Sequence, residues 1–266
     1  MDKKYKYLYA NGSSISAGGG FEVYSNRKDV RDSYSKNGIE LPKTQNECSY
    51  PYEIAKKLGL QLVNDSKCGA GIHRLVRTSY NFIETHKSIL NDTFFIFETQ
   101  SGIRLDIFLK EYNDYLIVNG WVDEDNNIRN LYLVKEWYAQ SEKEVSLLNE
   151  QYGNKLSEFY ENFWNVDIEF KTELRELDMF ISYCNELKLD YLISLCFPLQ
   201  REDRLISKIQ NKKLINSYLN NNDIWSYCME NKMLISDEVD NSDNHLGLSG
   251  TKFISDTLVN VISSNF

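Results

Sequence analysis

Short apolar runs alternate with amphipathic helical patterns along this chain, and that alternation most limits how it can fold. The runs at residues 5–10, 60–63 and 94–97 are rich in aromatic and branched side chains, as buried strands are. Residues 71–87, between the second and third runs, place apolar side chains on one helical face. Strands separated by helices favour a parallel sheet with right-handed crossovers and helices on both faces. The sequence therefore predicts an α/β fold.

The segment between the first two strands is expected to hold a long loop and then a helix. Residues 22–46 are polar and show no period of 2 or 3.6, which predicts the loop. Ser49 is a favourable N-cap, Pro51 falls in the first helical turn, and Gly59 is a natural C-terminal stop. These capping residues predict a helix that begins after Ser49 and ends before Gly59.

The alternation of strands and helices is interrupted at about residues 106–188, which we interpret as an insertion or cap within a single domain spanning 1–266. No Pro/Gly-rich linker marks a second domain. Residues 115–118 and 131–134 flank a polar turn and are expected to pair as a hairpin. Residues 141–188 carry apolar side chains at helical spacing, so the insertion is expected to be largely helical.

The sheet is expected to resume after the insertion. A strand is predicted at 191–197, followed by helical segments near 203–232 and a final helix at about 249–263. Combined with the earlier elements, this order predicts a three-layer sandwich in which a central, mostly parallel sheet lies between two layers of helices.

The charge balance and the lack of long apolar runs exclude several classes of protein. Asp and Glu number 39 against 30 Lys and Arg, a net charge of −9, so the surface repels phosphate backbones and no nucleic-acid partner is expected. No uncharged apolar run approaches the roughly 18 to 20 residues that a membrane span needs. The first residues lack the apolar stretch of a signal peptide, so a cytoplasmic location is expected. Homo-oligomerisation is left open.

The five cysteines are dispersed with no CxxC pair, and the three histidines show no paired Cys/His spacing. An odd, scattered set of cysteines is typical of reduced thiols rather than of a disulfide framework. A structural zinc site is therefore not expected.

Small and polar residues follow three successive predicted strands, at residues 12–18, 64–71 and 98–102. In an open parallel sheet, ligands bind at the carboxyl ends of the strands. A hydrolase built there needs a hydroxyl nucleophile, a base within hydrogen-bond reach and donors for the oxyanion. Either Ser13 or Ser14 supplies the hydroxyl.

Candidates for the base and the donors lie elsewhere in the chain. His245, with Asp243 two residues earlier, is the candidate base with its orienting acid. Backbone N–H groups of the first two loops and the carboxamide of Gln100 are the candidate oxyanion donors.

Three basic residues lie in the first half of the helix predicted at 71–87. His73 follows the Gly69 loop closely, which makes it a candidate pocket residue. Arg74 and Arg77 are expected on the exposed polar face of the helix, with binding of an anionic substrate as the alternative.

In these blocks the chain resembles the SGNH (GDSL-type) hydrolases, in the family's order and over nearly its whole length. Gly12-Ser13-Ser14 resembles the family's Gly-Asp-Ser turn after the first strand, which makes Ser14 the nucleophile by position. The turn lacks the Asp, as in many SGNH-like proteins of phages and environmental bacteria. Asn64 and Gly69 have the five-residue spacing of the family's second block.

The last two blocks are also similar to those of the family. Gln100 stands where the Asn of Gly-x-Asn-Asp binds the oxyanion, and it keeps an amide donor on a longer side chain. Asp243-Asn244-His245 resembles Asp-x-x-His before the C-terminal helix but is one residue tighter, with Ser242 at the usual Asp position.

The resemblance implies an SGNH/flavodoxin-like sandwich and a serine ester hydrolase, an esterase or deacylase that forms an acyl-enzyme. Its substrate would be a small-molecule or carbohydrate ester, and it would need no cofactor and no metal. The implied catalytic triad is Ser14, His245 and Asp243. With the candidates from chain position added, the oxyanion and substrate contacts are expected to be Gly69, Gln100, Ser13, Glu98 and His73.

Three alternatives remain open at this point. The same site could carry out O-acyl transfer, with an alcohol in place of water. The scaffold could also belong to a binding or structural protein that has lost turnover. Residues 12–20 could bind a nucleotide or phosphate, although they lack the Gly-x-x-x-x-Gly-Lys-Ser/Thr pattern of a P-loop.

Overall fold

A four-stranded parallel sheet forms the centre of the molecule, with strand order β2-β1-β3-β7. The computed structural model describes residues 4–36, 40–99, 103–110, 114–122, 128–135, 150, 152, 154–156, 158–159, 166–195, 208–238 and 243–266. The four strands are β1 (Tyr7–Asn11), β2 (Gln61–Asn64), β3 (Thr93–Glu98) and β7 (Tyr191–Ser194). The predicted α/β fold with a parallel sheet is confirmed.

Helices cover both faces of this sheet. Those used below are α1 (Ser14–Ala17), α2 (Phe21–Asn26), α3 (Lys28–Lys36), α4 (Tyr50–Leu58), α5 (Ile72–Thr85), α6 (Val166–Glu186), α7 (Ile224–Glu230), α8 (Ile235–Glu238) and α9 (Leu248–Asn265). Side chains alternate along β3, so Phe95 and Phe97 pack with α5 and α6, whereas Phe94 and Ile96 pack with α4 and α9. All four are fully buried. Two cores, one on each face, therefore give the predicted three-layer sandwich.

Helix α4 has the boundaries that its capping residues predict. The Ser49 hydroxyl accepts a hydrogen bond from the N–H of Tyr52 at 3.3 Å, and Pro51 lies in the first turn. Gly59 ends the helix in the left-handed conformation, with φ 63°. Local signals were enough to predict this helix because its caps are local interactions.

The long loop predicted at residues 22–46 is wrong, because α2 and α3 occupy most of its first half. Both helices are polar, and their buried apolar side chains are few: Val23, Tyr24 and Val30. These pack against Ile235, which lies far along the chain in α8. The partner that stabilises these helices is remote in sequence, so no local period predicts them.

The segment that the sequence predicts as an insertion begins with an antiparallel sheet, which includes the predicted hairpin. Its strands are β4 (Ile103–Leu109), β5 (Asp114–Val122) and β6 (Ile128–Lys135). The predicted hairpin is confirmed, since Ile117 pairs with Val134 and Val118 with Leu133. Strand β4 is an addition, and the expectation of a largely helical insertion holds only for its later part, where α6 lies. Whether the segment is an insertion within one domain stays a prediction.

The C-terminal part follows the predicted order of strand and helices. Strand β7 lies within the predicted range, and the final helix is slightly longer than expected, from Leu248 to Asn265. None of the helices in the described residues is both long and apolar enough to cross a bilayer.

The carboxylate of Glu238 fixes the start of α9. It accepts hydrogen bonds from the backbone N–H groups of Leu248 at 2.9 Å and Ser249 at 2.7 Å. These N–H groups have no partner within the helix, and a negative charge beside them is favourable. The hydroxyl of Tyr34 on α3 donates to the same carboxylate at 3.0 Å. Glu238 therefore joins α3, α8 and α9.

We expect Glu238→Ala to lower the free energy of unfolding by about 2 kcal/mol, because it removes hydrogen bonds to a charged group at a helix N-terminus. Urea denaturation would measure the loss. Glu186→Ala, at an exposed position of α6, is the control and should change stability by less than about 0.5 kcal/mol. Equal effects of the two substitutions would contradict this role of Glu238.

Candidate active site

The turn between β1 and α1 gives different environments to Ser13 and Ser14, the two serines that the sequence left as alternative nucleophiles. Ser13 is the N-cap of α1 and is fully buried, and its hydroxyl donates to the Glu98 carboxyl at 2.5 Å. Ser14 is the first residue of the helix and is half-buried. The Ser13 hydroxyl is therefore engaged in the protein interior, and Ser14 is the serine that solvent can reach.

The imidazole of His245 lies against the backbone of Gly19, close to Ser14. The N–H of Gly19 donates to the carbonyl oxygen of Ser14 at 2.6 Å. A Cβ atom on Gly19 would lie 2.6 Å from Nε2 of His245 and 3.0 Å from that same carbonyl oxygen. The fold thus brings an imidazole from the end of the chain to the turn that carries Ser14 near its beginning.

Asp243 orients this imidazole. Its Oδ1 atom lies 2.7 Å from Nδ1 of His245 and also accepts the backbone N–H of His245 at 2.9 Å. The hydrogen bond from His245 lowers the pKa of the Asp243 carboxyl. A proton on Nδ1 leaves Nε2, the atom beside Gly19, as the acceptor of the neutral ring. The spacing that is one residue shorter than the family's therefore still forms an acid–imidazole pair.

The glycine run at residues 18–20 is needed for this packing, whereas the sequence indicated only a phosphate loop as its alternative role. A Cβ atom on Gly20 would lie 2.2 Å from Cδ1 of Ile235 and 3.2 Å from Cβ of His245. Gly20 also has φ 86°, a conformation that favours glycine. Three successive glycines were the available signal, but their partners lie at the far end of the sequence.

Two backbone N–H groups are candidates for an oxyanion hole. Neither the N–H of Ser14 nor that of Gly69 donates to an acceptor in the part of the chain that the structure describes. The loop that carries Gly69 lies beside the first turn, because the N–H of Lys67 donates to the carbonyl of Gly12 at 3.0 Å. Gln100, the third predicted donor, lies outside the described residues.

Asn64, at the end of β2, holds α1 in place. Its side-chain amide donates to the carbonyl of Ser16 at 3.0 Å, and its Oδ1 accepts the N–H of Ser66 at 3.1 Å. The second predicted block therefore contacts the helix that begins with Ser14.

Glu98 lies beneath the turn, in the protein interior. It is 4% exposed, and burial raises the pKa of its carboxyl to about 7, although the hydrogen bond from Ser13 opposes the shift. Oε1 accepts from Ser13, whereas Oε2 has no hydrogen-bond partner among the described residues. The observed contacts of Glu98 are therefore with the protein, and Ser13 is likewise turned inward.

Arg74 is buried, which corrects the expectation of an exposed polar face. It is 6% exposed and donates to the carbonyl oxygen of Asp65 at 2.6 Å. It also contacts Asn11, whose side-chain amide donates to the hydroxyls of Thr78 at 2.7 Å and Ser79 at 2.8 Å. These bonds tie the end of β1 to α5 directly beneath the site. Sequence patterning could not reveal them, because an arginine in an amphipathic helix is usually solvated.

His73 contacts α6, where two carboxylates approach its ring. Nδ1 lies 2.8 Å from Oε2 of Glu176, and Nε2 contacts Oε1 of Glu169. Burial lowers the pKa of His73, but the hydrogen bonds to the two carboxylates outweigh it and raise the pKa to about 10. The sequence placed His73 near a substrate pocket and missed these acidic partners, which lie about a hundred residues later in the chain.

Comparison with known proteins adds one distant structural neighbour. It is the psychrotrophic esterase EstA from Pseudoalteromonas sp., inhibited by monoethylphosphonate, with a TM-score of 0.37 and 10% sequence identity over 97% of each chain. No family model matches the chain, and no curated protein matches it. Any activity is therefore inferred from the geometry of the site.

The buried carboxyl of Glu98 should make stability depend on pH. The unfolded chain loses this proton near pH 4.5, whereas the folded chain keeps it until about pH 7. The stabilisation is therefore complete below about pH 4.5 and is lost as the pH rises through about 7. Relative to Glu98→Gln, the wild type should lose up to about 3 kcal/mol of unfolding free energy across this range. Urea denaturation at about pH 5 and pH 8 measures it, and parallel pH curves would contradict the expectation.

Proposed function

We propose that this chain is a serine ester hydrolase of the SGNH type. The observation that carries the proposal is the packing of the His245 imidazole, already paired with Asp243, onto Gly19 beside the backbone of Ser14. A hydroxyl nucleophile, a base and an acid that orients the base form a triad capable of nucleophilic acyl transfer.

In the proposed reaction, Oγ of Ser14 attacks the ester carbonyl carbon while Nε2 of His245 takes the hydroxyl proton. The imidazolium that forms is stabilised by the carboxylate of Asp243, which already accepts from Nδ1. His245 then gives its proton to the departing alcohol, and the acyl group stays on Ser14. Water, deprotonated by the same imidazole, releases the acid and restores the serine.

The negative charge on the tetrahedral intermediate needs hydrogen-bond donors. The backbone N–H groups of Ser14 and Gly69 are the proposed donors, since no described acceptor occupies them, and the amide of Gln100 is the third. Backbone donors need no reorganisation during the reaction. A hole built mainly from backbone groups also tolerates Gln in place of the Asn that the family uses.

The proposed substrates are small-molecule or carbohydrate esters. The half-buried Ser14 opens to solvent, so an alcohol could reach the acyl-enzyme as water does. O-acyl transfer would therefore use the same residues. The relative amounts of free acid and new ester would measure how the acyl-enzyme divides between hydrolysis and transfer.

Ser14→Ala should abolish hydrolysis of p-nitrophenyl acetate, because no other proposed residue forms the acyl-enzyme. We expect a loss of at least about a thousandfold in kcat/KM. Ser263→Ala, which changes an exposed serine near the end of α9, is the matched control and should keep wild-type rates. A fluorophosphonate probe should label the wild type and the control but not Ser14→Ala. Hydrolysis by Ser14→Ala at the wild-type rate would exclude Ser14 as the nucleophile. If the probe labelled neither the wild type nor the variants, the result would favour a binding protein that has lost turnover.

Gly19→Ala tests the contact that brings the imidazole to the serine. The added Cβ atom must displace the His245 ring, and a displacement of about 1 Å should lower kcat/KM about a hundredfold. Because Ser14 is unchanged, weak labelling by the fluorophosphonate should persist. A variant that folds, as urea denaturation would report, and hydrolyses esters at the wild-type rate would contradict the proposed geometry.

A further inference from the structure

A second cluster of ionisable side chains lies between the first turn of α5 and the N-terminal half of α6. It comprises His73 and three glutamates, Glu169, Glu173 and Glu176, which are four and three residues apart and so share one face of α6. One nitrogen or oxygen atom from each of His73, Glu169 and Glu173 lies within 4.8 Å of the other two. This is the combination of imidazole and carboxylate groups that binds divalent metal ions.

Glu173 is the member that the fold itself does not explain. It is 1% exposed, and its Oε1 atom has no hydrogen-bond partner in the described part of the chain. A buried carboxyl oxygen without a partner is unfavourable and rare in native structures. Its position among the other donors indicates that a ligand completes its coordination.

The ring of His73 is held as metal-binding histidines are held. Nε2 faces Glu169, while Nδ1 is 2.8 Å from Oε2 of Glu176. In metal sites, a carboxylate commonly accepts the N–H of one ring nitrogen and so orients the other toward the ion. Glu176 has that role here.

We propose that His73, Glu169 and Glu173 bind a divalent transition-metal ion, with Glu176 as the residue that orients the histidine ring. One imidazole nitrogen with carboxylate oxygens suits Zn²⁺ or Mn²⁺ better than Mg²⁺, which rarely takes nitrogen ligands. Bonds of about 2.1 Å place the ligand atoms about 3 to 3.5 Å apart, so Nε2 and Oε1 of Glu169, which are in direct contact, must open, and the group adjusts by about 1 Å, within the reach of rotamer changes in glutamate. The ion replaces the proton on Nε2.

The surroundings allow an ion to enter and balance its charge. His73, Glu169 and Glu176 line an open cleft of about 610 Å³ between α5, α6 and the inserted sheet. Arg77 also lines the cleft, but it pairs with Asp106 at 2.7 Å. The carboxyl groups of Glu169, Glu173 and Glu176 can together balance the charge of a divalent ion.

Zn²⁺ and Mn²⁺ themselves are the probes for this site. Wild-type protein freed of metal with a chelator should bind one ion per chain more tightly than Glu173→Gln does, by at least about tenfold. Isothermal titration calorimetry measures the affinity, and electron paramagnetic resonance counts bound Mn²⁺. Glu173→Gln is a neutral isostere at a position without a partner, so its metal-free form should fold, which thermal unfolding would check.

Glu186→Gln is the matched control, because it makes the same change at an exposed position of the same helix. It should bind both ions as the wild type does, and Glu176→Gln should weaken binding about 10- to 100-fold. Equal affinities of the wild type and Glu173→Gln, or no binding by the wild type, would overturn the proposal. Equal affinity for Mg²⁺ would overturn the assignment to a nitrogen-containing site.

Discussion

The imidazole of His245 can approach Ser14 because Gly19 has no side chain. A Cβ atom there would lie 2.5 Å from Cδ2 of the ring, closer than packed atoms allow, so this contact depends on a single missing methyl group. The ring is carried by the segment that leads into α9, and α9 packs on α4 against the sheet. Glu238 fixes the first turn of α9. The position of the proposed base therefore follows from how the last helix is anchored, and the glycine leaves room for it.

The position of the turn that carries the serines follows from the register of strands β1 and β3. Strands β1 and β3 are parallel neighbours, and Asn11 lies opposite Phe97, so the residues that follow each strand emerge side by side. Ser13 and Glu98 meet there, and their hydrogen bond holds the turn before Ser14. A buried acid beneath a serine turn is unfavourable as a charge, and its raised pKa keeps it protonated below about pH 7, where the neutral form avoids the desolvation cost. The fold thus retains a neutral carboxyl group where a smaller residue would leave the turn unsupported.

The sequence predicted the elements that carry a recognisable signal within their own residues. Helix α4 with its caps Ser49 and Gly59, the apolar strands of the parallel sheet and the β5–β6 hairpin are examples. It failed where the partner is remote. Helices α2 and α3 depend on Ile235, and the burial of Arg74 depends on the carbonyl of Asp65 and on Asn11. The order of the candidate site blocks could be predicted from the sequence. The contacts between these blocks could not, because they form only when distant parts of the chain fold together.

The first turn of α5 carries two basic residues, His73 and Arg74, that contact different parts of the protein. It contains His73 and Arg74 and no acidic residue, although positive charge is unfavourable at a helix N-terminus. Arg74 offsets this by donating to Asp65, toward the end of β1 and the proposed esterase site. His73 offsets it through the carboxylates of α6, on the other side of the helix. Local rules are commonly broken at functional sites, where another requirement outweighs stability. The two residues therefore have partners on opposite sides of the helix, one near the proposed esterase site and one at the proposed metal site.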